Sequence, residues 1–225
     1  KYKQIPEYQL VNFGMSMAEF KFIYWWEWGH RFLGRIVGLV FIVPFVVFLV
    51  QKKISRRQLP PLLALFALGG LQGFMGWYMV ASGLTDRVDV SQYRLAVHLG
   101  LALIIFSFCL WMGLHFIRDA RLPAAAGPGV ALSGTIAVLV LVQSLLGALV
   151  AGLDAGTTYT DWPFMDGDVI PSGLFDMSPP VSNLFESHLT VQFNHRLVAY
   201  ALTIAVIWHV FRLARTKAPQ TVLVS

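Results

Sequence analysis

The chain has 225 residues, 56% of them hydrophobic and 13% charged, with a mean hydropathy of +0.64. A composition this apolar excludes an ordinary water-soluble domain and reads as a membrane protein. The net charge of +5 raises nucleic acid as a partner, but the basic residues cluster at the ends of apolar runs, so the charge reports topology and nucleic acid is excluded.

Crossing the hydrocarbon core takes about 20 apolar residues as a helix, and five runs qualify: 30–50, 61–83, 95–117, 130–153 and 194–211. Ahead of the first lies an aromatic-rich segment, 1–28, expected as an outer loop. Span one opens on Glu27-Trp28-Gly29-His30-Arg31-Phe32-Leu33-Gly34-Arg35, and Lys52, Lys53, Arg56 and Arg57 follow it. Span two carries Gln72-Gly73-Phe74-Met75-Gly76. Span three has Arg94 and His98 at its start and the lone Cys109 inside, a small apolar thiol with no partner for a disulfide; Arg118 and Arg121 follow.

The Pro/Gly/Ala stretch 122–129 is expected to connect two halves, an N-terminal bundle with its outer loop at 1–121 and a partial C-terminal bundle with its outer loop at 130–225. Span four repeats the amide motif as Gln143-Ser144-Leu145-Leu146-Gly147. Small residues four apart let membrane helices approach closely, and a glutamine buried in lipid needs a partner. The outer connection 154–192 contains Thr160-Asp161-Trp162-Pro163 and is long enough to be a functional cover rather than a simple link. Span five opens on Gln192-Phe193-Asn194-His195-Arg196-Leu197-Val198-Ala199-Tyr200, and Arg212, Arg215 and Lys217 follow it.

The three basic clusters set the orientation: they face the cytoplasm or matrix, and 1–28, 84–94 and 154–192 face outward. At 1.5 Å per residue, His30 lies roughly 33 Å from Lys52, His98 roughly 30 Å from Arg118 and His195 roughly 26 Å from Arg212, so all three sit near the outer interface. His115 and His209 fall at inner span ends and are expected as interfacial residues, and His188 is expected in the outer loop. Histidine and arginine are costly near hydrocarbon, so their pairing at matched positions of two spans points to a repeated ligand site. Axial imidazoles from facing helices suit a metal porphyrin, and Arg31, Arg35, Arg94 and Arg196 either neutralise its propionates or snorkel to the interface. Glu27, replaced by neutral Gln192 in the second copy, is either a helix-start carboxylate favoured by the macrodipole or an acid at the edge of a pocket that does chemistry. Matching the two copies predicts one span before Lys1 and two after Ser225. The fold class expected is thus all-α: a polytopic transmembrane protein of two pseudosymmetric four-helix bundles, five of whose spans lie here.

At Glu27-x-x-His30-Arg31, Arg94 with His98, Thr160-Asp161-Trp162-Pro163 and Asn194-His195-Arg196, the chain resembles heme A synthase along essentially its whole length, closest to the mitochondrial and alphaproteobacterial branch. The resemblance implies an eight-helix oxidoreductase of the bacterial plasma membrane or mitochondrial inner membrane that converts heme O to heme A, oxidising a ring methyl to a formyl group, with a bound heme b as cofactor. It assigns His30 and His98, with Arg31 and Arg94, to the substrate heme, His195 and Arg196 to heme b, and catalysis to Glu27; the second axial ligand of heme b is expected in a last helix beyond this sequence. Partners implied are heme O, the lipid bilayer, an electron donor the sequence does not name, heme O synthase and a second copy of the chain. The cysteine pair that some members carry in the first outer loop has no counterpart in 1–28. Two alternatives stand beside this reading: a diheme b-type electron carrier, which calls for histidine pairs at both membrane faces, and a transporter or assembly scaffold that binds no heme.

Overall fold

A computed structural model describes residues 2–83, 88–117 and 128–215. Among them are five long helices: α1 (Met17–Val50), α2 (Leu59–Gly83), α3 (Gln92–Ile117), α4 (Pro128–Gly152) and α5 (His188–Arg215). Each is long and apolar enough to cross a membrane, so the protein is a multi-pass membrane protein of the all-helical class.

The helices at Met17, Gln92 and His188 start earlier in the chain than the apolar runs expected there, and serine caps open the first and the last of these. Ser16 caps α1: its hydroxyl accepts the Glu19 N–H at 3.3 Å, and the Glu19 carboxylate accepts the Ser16 N–H at 2.7 Å. The aromatic stretch from Phe20 to Trp28 is therefore helix rather than the outer loop expected of 1–28. Glu27 lies in the third turn, not at the helix start; Glu19 meets the macrodipole instead. The segment before α1 is short, with a five-residue helix (Pro6–Leu10) and a knot in which Asn12 donates to Tyr2 at 2.9 Å and to Glu7 at 3.1 Å. Likewise Ser187 caps α5 by accepting the Thr190 N–H at 3.3 Å. His188 is thus the first residue of a helix and not part of the loop, which closes at 187 rather than 192.

Helix α1 ends with Lys52 in the left-handed region (φ 56°) and the Lys53 N–H returning to the Phe48 carbonyl at 2.9 Å. The exposed turn that follows carries the first basic cluster and closes on a second reciprocal cap, Ser55 with Gln58. Helix α4 opens at Pro128, inside the stretch expected as the connection; residues 118–127 and Lys217, with Arg118 and Arg121, lie outside the described residues.

The backbone packs as two compact units, one built on Lys1–Arg94 with Leu101–Gly113 and the other on Leu95–Gly100 with Leu114–Ser225. In the first, α1 meets α2 where Phe41 stacks on Phe66, centroids 6.4 Å apart. In the second, α4 and α5 lie against each other, and small residues make the approach possible, since lipid removes the hydrophobic drive between helices. Ala148 and Leu149 of α4 and Val191 of α5 are buried there, and a Cβ at Gly100 would stand 3.1 Å from Leu145. The loop between α4 and α5 has its own small core of Ala155, Met165 and Asn183. Asn183 pins the Met177 N–H and carbonyl, both at 3.1 Å, and Thr190 donates to the Leu174 carbonyl at 2.6 Å.

Candidate functional site

His195 sits in the third turn of α5, half-buried against α4. Two α4 residues one turn apart receive its ring. The amide Nε2 of Gln143 lies 3.1 Å from the imidazole Nδ1 and 3.2 Å from Nε2, and a Cβ at Gly147 would stand 3.2 Å from Cε1. The amide motif thus faces the histidine of the second frame, which gives Gln143 the partner that burial demands. Gly147 does more than let helices approach: any larger residue would press on the ring. The carbonyl end of the amide, Oε1, is buried and has no hydrogen-bond partner among the described residues.

A second set of bonds fastens the loop between α4 and α5 to α5. Gln192, Arg196 and Tyr200 fall four residues apart and so form one ridge along the helix. The Gln192 amide donates to the Tyr159 carbonyl at 2.7 Å. The Arg196 guanidinium donates to the carbonyls of Tyr159, Asp161 and Phe164 at 2.6, 2.9 and 3.0 Å, and Tyr200 accepts the Trp162 indole N–H at 3.0 Å. The Asp161 carboxylate folds the loop on itself by accepting the N–H groups of Gly167 at 3.1 Å and Asp166 at 3.3 Å. The Gly167 N–H, then its own and the Asp166 N–H and the Arg196 charge, hold this carboxyl below the usual aspartate range. Thr160-Asp161-Trp162-Pro163 is therefore the segment latched over the N-terminal turns of α5, beside His195.

The first frame is arranged differently. Arg31 turns back one helical turn and donates to Glu27 at 3.2 Å, with both side chains about half exposed. His30 shares their helix and is exposed on α1. Arg94, in the first turn of α3, lies with its guanidinium 5.0 Å from the Tyr78 ring centroid, a cation–π contact within the same unit. His98 is half-buried and belongs to the segment Leu95–Gly100, grouped with the unit that holds His195. Of the remaining histidines, His209 near the inner end of α5 contacts the Ser133 hydroxyl of α4 at 3.1 Å.

The composition of the second site suits a porphyrin iron. A single imidazole, with a neutral amide and a glycine beside it, is a donor a porphyrin iron would take from α5, whereas a bare zinc ion asks for three or four protein ligands. His195, Arg196 and the Gln143–Gly147 motif are visible in the sequence, but the contact of His195 with that motif, and that of Gln192, Arg196 and Tyr200 with the loop, appear only in the fold. The Gln143–Gly147 pair and the Gln192–Arg196–Tyr200 ridge were readable only as recurrent spacings of four.

The family model described as cytochrome oxidase assembly protein matches residues 1–224. A protein of Parvibaculum lavamentivorans named heme A synthase is 54% identical over 217 residues, 96% of this chain and 63% of its own length. Proteins of the same name from Sinorhizobium medicae and Agrobacterium fabrum are 50% and 52% identical, covering 98% and 95% of this chain and 60% and 59% of theirs. The chain thus spans less than two thirds of the length of these curated relatives. No solved structure matches. With a match running from end to end and relatives half-identical over nearly all of it, the chain belongs to the cytochrome oxidase assembly protein family, beside alphaproteobacterial members that bear the name heme A synthase.

Proposed function

We propose that this chain is part of a heme A synthase, an oxidoreductase that takes a ring methyl of heme O to the formyl group of heme A with the help of a bound heme b. The observation that carries the reading is the His195 site: a half-buried imidazole set between the Gln143 amide and the Gly147 backbone, under a loop fastened by Arg196. Heme b would supply the redox chemistry of its iron. His195 would hold it through an imidazole nitrogen, and Gly147 leaves room for the imidazole to keep its place. Three of the five N–H groups of Arg196 hold the loop closed, which shields the outer face of the site from water, and the others serve a propionate.

For substrate heme O, the family resemblance assigns His30 and His98 to the iron and Arg31 and Arg94 to the periphery. Glu27 is the acid of this frame; its carboxylate, oriented by Arg31, stabilises positive charge or moves a proton as the methyl carbon is oxidised. The sites open to the periplasm or intermembrane space, as the basic turn after α1 and the arginines at the end of α5 favour. The test is heme extraction from cells that make heme O and express the full-length protein. Heme A in the extract supports an enzyme, and a normal heme b content with heme O unchanged would instead make the protein an electron carrier.

A further inference from the structure

The contact between Gln143 and His195 satisfies only half of each group. A neutral imidazole carries one lone pair and one N–H. The Gln143 Nε2 is a donor, so it can serve the lone pair, at 3.1 Å from Nδ1 or 3.2 Å from Nε2, but not the N–H at the other nitrogen. Among the described residues, Gln143 is the only hydrogen-bond partner of the ring nitrogens. The group that would complete the pair is already there: Oε1 of the same amide, buried with no partner among the described residues. Half a turn of the amide exchanges its two ends, and Oε1 then accepts the ring N–H.

We infer that Gln143 is a positioning residue for His195, presenting Nε2 while the imidazole lone pair is free and Oε1 once that lone pair is given to iron. This rests on His195 being the heme b ligand. A ligand histidine needs an acceptor on its other nitrogen to fix tautomer and ring plane, and the acceptor raises the basicity of the ligating nitrogen. Gly147 sits one turn away at the Cε1 edge with no side chain to do this, so α4 offers the ring one amide and nothing else. A stronger ligand favours ferric iron, so the amide acts to lower the reduction potential of heme b.

The full-length protein purified with its heme tests this through heme content, midpoint potential and the low-spin electron paramagnetic resonance signal. Gln143→Met keeps the volume and removes the acceptor; it is expected to retain heme about ten- to hundredfold less tightly, at a higher potential and with altered g-values. Gln143→Glu keeps an acceptor and is expected to restore heme content at a potential equal to or below that of the wild type. A Met variant with wild-type potential and g-values overturns the inference, and so does loss of heme from both variants. Retention of heme b in His195→Ala takes down the underlying ligand assignment instead, whatever the Gln143 variants do.

Discussion

Glu27-x-x-His30-Arg31 and Gln192-x-x-His195-Arg196 place the same residue types at the same spacing on two helices, yet their arginines are put to different uses. Arg31 stays on its own helix and pairs with Glu27. Arg196 leaves its helix and takes three carbonyls of the outer loop. The residue three before the histidine decides this. Gln192 must donate to the Tyr159 carbonyl; a glutamate there would set a carboxylate against that oxygen and draw Arg196 back to itself. Neutrality in the second copy thus has a structural reason, and the charge in the first is met by Arg31 on the same helix.

That division is sharpened most by Glu27→Gln. Proton transfer from a placed side chain is worth about 10²–10⁴ in rate, so we predict a fall of that size in heme A formation, with a hydroxylated heme accumulating and heme b content unchanged. Wild-type heme A yield would end the catalytic assignment. The reverse exchange, Arg196→Ala, removes three charge-assisted bonds and is predicted to loosen the loop by about 3 kcal/mol, seen as rapid proteolysis at 159–168. Arg31→Ala should cost about 0.5 kcal/mol or less, because exposed i,i+4 pairs are weak. Equal losses in the two arginine variants would erase the distinction.

Smaller effects test the packing. Gly147→Ala crowds the His195 ring and is predicted to cost about 1–3 kcal/mol, lowering the melting temperature and heme b content together, whereas Gly73→Ala, with open space at its Cβ, is predicted to be neutral. The weakest effect is the pH response of the latch. Because the folded Asp161 carboxyl titrates below its unfolded value, its contribution to loop order is complete above the ordinary aspartate range and lost as pH falls through and beneath it. The Gly167 amide resonance should move with a midpoint below that range, and Asp161→Asn should abolish the movement; a midpoint at or above the ordinary value contradicts the cap.

Span number and type were legible because about 20 apolar residues in a row have few other uses. The helix ends were not: Ser16 and Ser187 are ordinary serines until their hydroxyls are seen to meet the N–H three residues on, and the aromatic stretch ahead of Glu27 looks like loop to a reading based on hydropathy. His195 and Arg196 stood out because charge and imidazole are expensive in lipid. The Gln143–Gly147 motif stood out as well, but not its partner, since that lies on a helix more than 40 residues away in sequence, and backbone carbonyls such as those of Tyr159 and Phe164 leave no mark on a sequence at all.

The central proposal is that His195 ligates heme b. In purified full-length protein, His195→Ala should lose heme b while the loop at 153–187 keeps its wild-type resistance to protease, because Gln192, Arg196 and Tyr200 remain to hold it. Heme b at the wild-type level, with its low-spin signal unchanged, would contradict the account.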